Sequence, residues 1–244
     1  MSYNPSLDFL NMIKSDVSSV SVRHSCISKT TSDSNSIKKH TNVAKADVDK
    51  NSAGVIAVID TETNWRDEVM SIGVALADSK TFKCTDTRYY IIDPEYRVGG
   101  IYSNVLHYRD NGERRLSCLE VTLSRSKALQ EMKRYLTDNG VIKIFAYNAK
   151  FDLGHLRELD DFEWYDIMRL AAYKQYNSAI TESMACCKTG RLKTNYGVEP
   201  ITRMLTGDNY YCEVHNAVYD AVDELRIIEL LGHELSLYEC AKIN

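Results

Sequence analysis

The chain has 244 residues and a formal net charge of -4, and 44% of its residues are hydrophobic. The acidic balance argues against non-specific binding of long duplex DNA, although carboxylates that hold metal ions would also enrich a nuclease in acidic residues. Seven cysteines without any Cys-x-x-Cys spacing argue against a zinc site or a disulfide framework. No run of about 18 apolar residues is present, so we expect no membrane contact and a cytoplasmic location.

Residues 1–53 are predicted to form a flexible polar arm. Between 15 and 52 the sequence is dominated by Ser, Thr, Lys, Asp and Asn and has no aromatic residue. Such a stretch cannot bury enough apolar surface to offset the entropy of ordering it. Leu7, Leu10 and Ile13 have the spacing of a short amphipathic helix near 6–14. We interpret that segment as a frayed terminus, and a docking peptide for a protein partner is the alternative.

A folded domain is predicted to span residues 54–244. Three runs rich in apolar and β-branched residues, close enough in sequence to pair as an antiparallel meander, predict strands at 55–59, 69–77 and 88–92. After a polar, irregular section, two more strands are predicted at 141–147 and 164–165. Helices are predicted at 124–136, 151–158, 198–205 and 217–231. This order of elements indicates an α/β sheet of mixed direction.

The first candidate site residues follow the most apolar strand. Asp60 and Glu62 are separated by one residue, so their carboxylates project from the same face of the strand and Thr61 points to the opposite face. Two carboxylates at one strand end can share metal ions, which take oxygen ligands. The alternative is a solvated turn, and only convergence with other acidic residues would favour the metal site.

Asp152 is the second candidate, at the start of the helix after the fourth strand. Its carboxylate either binds metal, if the sheet brings strands one and four side by side, or caps the helix N-terminus. Asn148 either contacts the substrate or forms a local turn. Asp166 precedes another helical pattern, and we interpret it as an N-cap and not as a catalytic residue.

His215 and Asp220 form the third candidate pair. Five positions correspond to a rotation of about 140° on a continuous helix, so the two side chains could not share one helix face. Convergence therefore requires His215 in the loop before the helix and Asp220 in its first turns. A loop histidine can approach a water molecule and act as a general base. On composition alone, Asp223 or Glu224 would serve in place of Asp220, and His215 would be a solvated loop residue.

Three segments together resemble the exonuclease motifs of the DEDDh 3′-to-5′ exonucleases, the family of polymerase proofreading subunits and ribonuclease T. They are Ile-Asp-Thr-Glu-Thr at 59–63, Asn-Ala-Lys-Phe-Asp at 148–152 and His-Asn-Ala-Val-Tyr-Asp-Ala at 215–221. A sister family has Tyr-x-x-x-Asp in its last motif, whereas the corresponding position here is Asn216. The resemblance covers about residues 54–231. It implies a ribonuclease-H-like sheet of five strands with helices on both sides.

The resemblance also implies a metal-assisted reaction. Two Mg²⁺ or Mn²⁺ ions would be held by four carboxylates, while His215 deprotonates the attacking water. The four implied ligands are Asp60, Glu62, Asp152 and Asp220.

The implied activity is hydrolysis of phosphodiester bonds at the 3′ end of single-stranded or frayed nucleic acid, which releases nucleoside monophosphates. Thr61 and Thr63 would lie near the terminal nucleotide, and strand-end packing is the alternative for Thr63. The motifs do not separate DNA from RNA, and we favour DNA trimming of a repair or proofreading type. A catalytically weak nucleic-acid-binding or scaffolding module of the same fold is the alternative, and it would be expected to lack one of the five motif residues.

Overall fold

The structure is a computed structural model that describes residues 54–110, 112 and 116–244. The predicted polar arm at 1–53 and its short helix near 6–14 lie outside the described residues. Within the described part of the chain, no helix is both long and apolar enough to cross a membrane.

The described residues form one mixed sheet of six strands. Its strands are β1 (Val55–Thr63), β2 (Val69–Asp78), β3 (Cys84–Ile92), β4 (Leu119–Leu123), β5 (Val141–Ala146) and β6 (Glu163–Asp166). As predicted, β1, β2 and β3 form an antiparallel meander. β5 pairs in parallel with β1, and β6 pairs in parallel with β5. The spatial order β4-β3-β2-β1-β5-β6 therefore brings strands one and four of the prediction side by side.

Five strands were predicted and the described residues form six, because β4 lies in the section predicted to be irregular. β4 lies at the edge of the sheet and pairs in parallel with β3. Its first residue, Leu119, is 52% exposed. A short edge strand packs against few neighbours, so its sequence, Leu-Glu-Val-Thr-Leu, lacks the continuous apolar run that identifies a central strand.

The described residues include five α-helices, which flank the sheet. They are α1 (Arg125–Asp138), α2 (Ala149–His155), α3 (Met168–Ala171), α4 (Val198–Thr206) and α5 (Ala217–Leu231). The bounds of α5 are those predicted from its apolar periodicity. α2 ends three residues earlier than predicted, and a 3₁₀ turn, Arg157–Leu159, follows it.

Alternate residues of β1 face two separate cores. Ala57 and Ile59 belong to a core cluster that includes residues of α1 and α2, whereas Ile56 and Val58 belong to one that includes residues of α4 and α5. All four side chains are fully buried, and burial of one isoleucine side chain contributes about 1.5–3 kcal/mol. Helices thus cover both faces of the sheet, and β1 is held rigidly between them.

Gly73 allows the N-terminus of α5 to approach the sheet. It pairs with Asp60 across the β1–β2 ladder, and a Cβ atom at this position would collide with the backbone of Ala217 and Val218. Only glycine leaves room for such a close approach. The first turn of α5 therefore lies beside the end of β1.

Candidate active site

Four carboxylates meet at one edge of the sheet. β1 ends with Asp60 and Glu62, while Asp152 lies in the first turn of α2, directly after the parallel strand β5. Asp220 lies in the first turn of α5. The negative charges of Asp220, Asp152 and Glu62 each raise the pKa of Asp60. The structure therefore brings the four acids together, and their role as metal ligands stays a prediction.

His215 joins this cluster from the loop before α5. One ligand atom from each of Glu62, His215 and Asp220 lies within 4.8 Å of the other two, which makes these residues a candidate metal-binding group. As the five-residue spacing predicted, His215 is outside the helix and Asp220 is inside its first turn.

The electrostatics of the four acids suit a cation. Oδ2 of Asp60 and Oδ1 of Asp220 are buried without a hydrogen-bond partner. Burial and the neighbouring carboxylates raise the pKa of both groups well above the usual range. Burial also raises the pKa of Glu62 to about 8 and that of Asp152 to about 7. Buried carboxylates without a counter-charge are costly, and hard divalent cations take such oxygen ligands, so the donor set fits a hard divalent cation.

Thr61 faces away from Asp60 and Glu62, as strand alternation predicted. Its hydroxyl donates a hydrogen bond of 2.8 Å to Oδ1 of Asp152, and its side chain is only 5% exposed. Thr61 therefore orients a carboxylate from the other side of the strand. Its contact with a terminal nucleotide stays a prediction, as does that of Thr63, which is half-buried at the end of β1.

Asn148 forms the turn between β5 and α2. Its backbone is in the left-handed region, with φ 65° and ψ 45°, a conformation that Asn tolerates better than most residues. Its backbone N–H donates to Oδ1 of Asp166 at 3.0 Å, and the same oxygen accepts from the N–H of Met168 in α3 at 3.1 Å. These contacts favour the turn role for Asn148. Its side chain is exposed, and its contact with the substrate stays a prediction.

The imidazole of His215 is positioned by stacking. Its ring lies 4.1 Å from that of Tyr102, centroid to centroid, at an interplanar angle of 15°. The residue has φ 59°, which is uncommon outside glycine. Burial lowers the pKa of His215, and the charge of Glu199 opposes this in part. The imidazole is therefore neutral at neutral pH and can accept a proton.

The loop that carries His215 is braced by α4. Nε of Arg203 donates to the carbonyl oxygen of Tyr211 at 2.8 Å, and Arg203 Nη2 forms an ion pair with Glu199 Oε1 at 2.8 Å. Oε2 of Glu199 in turn accepts the N–H of Glu213 at 3.1 Å. Two backbone groups of the loop are thus tied to one face of a helix.

Three further groups lie at the site: Glu224, which was predicted only as an alternative to Asp220, and Glu213 and the ring of Tyr102, which were not predicted. Glu224 joins Asp220 and does not replace it: both are buried on α5, and the charge of Glu224 is the largest electrostatic contribution to the raised pKa of Asp60. Burial raises the pKa of Glu213 to about 7, with contributions from Asp223 and Glu199. The spacing of four residues between Asp220 and Glu224 was a usable signal, whereas no sequence pattern identifies Glu213 or Tyr102.

No family model and no curated protein matches the sequence. Solved structures do match its fold. A full-length 3′-exonuclease is 13% identical with a TM-score of 0.50, over 79% of this chain and 85% of that one. A 3′-exonuclease that specifically recognises the 3′ end of the histone mRNA stem-loop is 14% identical with a TM-score of 0.50, over 74% of this chain and 64% of that one. An exonuclease I is 13% identical with a TM-score of 0.51, over 76% of this chain and 42% of that one.

The chain thus spans under two thirds of the length of two of these proteins, 64% and 42%. At identities of 13% and 14% the likeness concerns the fold, which is a mixed sheet with helices on both faces. The chain therefore has the ribonuclease-H-like α/β fold of the 3′-exonucleases, as the three motifs predicted.

Proposed function

We propose that the protein is a divalent-metal-dependent 3′-to-5′ exonuclease that hydrolyses phosphodiester bonds at the 3′ end of single-stranded or frayed nucleic acid. Its products would be nucleoside monophosphates. One observation carries this proposal: four carboxylates from three separate segments converge around a loop histidine, at the edge of a sheet that has the 3′-exonuclease fold.

Asp60, Glu62, Asp152 and Asp220 would hold two Mg²⁺ or Mn²⁺ ions. A pair of divalent ions in such a site supplies a nucleophilic water at neutral pH and neutralises the charge that develops on the phosphate. The protein fixes the acids beforehand. β1 sets the two oxygen donors of the first motif on one face, and the hydroxyl of Thr61 holds the carboxylate of Asp152.

His215 would act as the general base. Its lowered pKa keeps the imidazole unprotonated at neutral pH, so that a ring nitrogen can take a proton from the attacking water. The stack on Tyr102 restrains the ring plane. The ring is half-buried, so the proton can then pass to solvent.

Exposed aromatic side chains beside the acids support a single-stranded substrate. Trp65, two residues after β1, is 67% exposed, and its backbone N–H donates to the carbonyl oxygen of Gly99 at 2.9 Å. Phe151 precedes Asp152 in α2 and is 41% exposed. Bases of a single strand stack on such rings, and the interaction contributes about 1–3 kcal/mol per base. Thr63 and Asn148 would lie nearer the terminal nucleotide than Trp65 and Phe151 do.

The test is degradation of matched DNA and RNA oligonucleotides labelled at the 5′ end. With Mg²⁺ or Mn²⁺, we expect the labelled strand to shorten by one nucleotide at a time and mononucleotides to appear. A phosphorothioate bond at the 3′ end should block the reaction. Oligonucleotides of both kinds that stay intact would overturn the proposal.

Calorimetry with Mn²⁺ separates the scaffolding alternative from the enzyme. Wild-type protein should bind the ion, and Asp152→Asn should bind it more weakly, because that variant removes one charged oxygen donor. Absence of heat from the wild type would favour the scaffold.

A further inference from the structure

Two buried carboxylates hold the turn that leads into α2. The backbone N–H of Tyr147 donates to Oε2 of Glu224 at 3.0 Å. The next N–H, of Asn148, donates to Oδ1 of Asp166, also at 3.0 Å. Consecutive amides of one turn are therefore bound by side chains from α5 and from the end of β6.

This turn needs outside support because of its backbone conformation. Asn148 is left-handed, a conformation that residues other than glycine adopt infrequently. It persists only where surrounding contacts over-determine it. The turn leads directly into the helix whose first turn carries Asp152. Any shift in the turn would therefore move a predicted metal ligand.

Glu224 connects this turn to a second predicted ligand. It lies four residues after Asp220 on α5, so the two side chains leave the same face of the helix one turn apart. Glu224 is only 3% exposed. One face of α5 thus presents Asp220 to the cluster and Glu224 to the turn before Asp152.

The chemistry of Glu224 is costly for a purely structural role. Its carboxylate is buried, and removing a carboxylate from water is costly. An apolar side chain of similar volume would avoid this cost. What an apolar side chain could not do is accept the N–H of Tyr147.

We propose that Glu224 is a positioning residue that sets Asp152 against Asp220 by binding the Tyr147 amide. This inference rests on the proposed function, because it concerns the metal-binding arrangement of that site. Asp166 supports the same turn through the Asn148 amide but lies on an element that carries none of the predicted ligands.

The test compares Glu224→Gln with Glu224→Leu. Glutamine keeps an acceptor oxygen at the same reach, whereas leucine fills a similar volume without one. We expect leucine to weaken Mn²⁺ binding roughly 10- to 100-fold, as loss of an outer contact to a metal ligand typically does. It should also lower kcat without raising KM for the oligonucleotide. Glutamine should restore both quantities towards wild type. The controls are Glu229→Gln and Glu229→Leu, because Glu229 pairs with Lys83 at the surface of α5.

Each outcome decides the inference. Equal Mn²⁺ affinity of wild type and Glu224→Leu would overturn the positioning role alone. Equal damage by glutamine and leucine would also overturn it, because the charge of Glu224 would then be what matters. Wild-type protein that binds Mn²⁺ but leaves every oligonucleotide intact would overturn the proposed function alone. If the leucine variant fails to fold, Glu224→Met repeats the test, and hydrogen exchange of the Tyr147 amide in the glutamine variant shows whether the bond is retained.

Discussion

The end of β1 and the loop before α5 both contribute to the cluster, but they are held by different means. Asp60 and Glu62 belong to a central strand with neighbours on both sides and a buried core on each face. His215 belongs to a loop that is held by a ring stack and by side chains of α4. The sheet thus fixes the predicted ligands through main-chain geometry, while the predicted base depends on a few side-chain contacts. Substitutions in the two regions should therefore fail in different ways.

The largest effect is expected from Asp60→Asn. Loss of one charged donor to ions that stabilise the transition state costs several kcal/mol, which corresponds to a fall in kcat of at least about 10³-fold. The fold should survive, and the metal-free variant should melt at or above the wild-type Tm because a buried, repelled carboxylate is gone. Oligonucleotide degradation measures the fall in kcat, and thermal melting measures the Tm. Asp138→Asn, at the exposed end of α1, is the control. Full activity of Asp60→Asn would contradict the role of Asp60 as a metal ligand.

His215→Ala should lower kcat by about 10²–10⁴-fold, the usual contribution of a general base. Mn²⁺ affinity should stay near wild type, because the acids on β1, α2 and α5 are untouched. In the wild type, kcat should fall as pH drops through the pKa of His215, which burial sets below the ordinary value. The variant should lack this acidic limb. Loss of Mn²⁺ binding in the variant would make His215 a ligand and contradict its role as a base.

Loosening the loop should have an intermediate effect. Arg203→Ala removes the bond to the Tyr211 carbonyl and the ion pair with Glu199. A small misplacement of a catalytic group can cost up to about 10²-fold in rate, so we expect a fall of roughly ten- to 100-fold in kcat. Mn²⁺ affinity should not change. Arg203→Lys keeps the charge but not the planar guanidinium, so its kcat should lie between those of the wild type and Arg203→Ala. Wild-type kcat in Arg203→Ala would show that the Tyr102 stack alone positions the histidine.

The smallest effect is expected on thermal stability. Folding raises the pKa of Glu62 to about 8 and that of Asp152 to about 7, from usual values of 4.5 and 3.8. The folded state therefore binds more protons than the unfolded state between about pH 4 and 8, so the stability of the metal-free protein falls as pH rises through this window. Each loss of 1 kcal/mol in the free energy of unfolding should lower Tm by about 2–4 °C.

Melting curves in chelator at pH 5 and pH 8 measure this change. Mn²⁺ should restore stability at pH 8, because it supplies the missing positive charge. A Tm that rises from pH 5 to pH 8 in chelator would contradict the raised pKa values.

Elements whose signals are local could be predicted from the amino-acid sequence. The bounds of α5 and the places of β1, β2 and β5 follow from apolar patterns within a few residues of each other. The spacing between His215 and Asp220 required a loop and then a helix, which the structure has. β4 was missed because a short edge strand carries little of this pattern.

The groups that support the site depend on contacts between segments distant in the chain, which local sequence patterns do not specify. Thr61 and Asp152 are 91 positions apart, and Tyr147 and Glu224 are 77 apart, yet both pairs are hydrogen-bonded. The stack of Tyr102 on His215 likewise joins segments that share no sequence pattern. These contacts depend on how the sheet orders its strands and on how closely α5 approaches Gly73. Local periodicity fixes which face a side chain takes, whereas its partner is fixed by packing between elements distant in the chain.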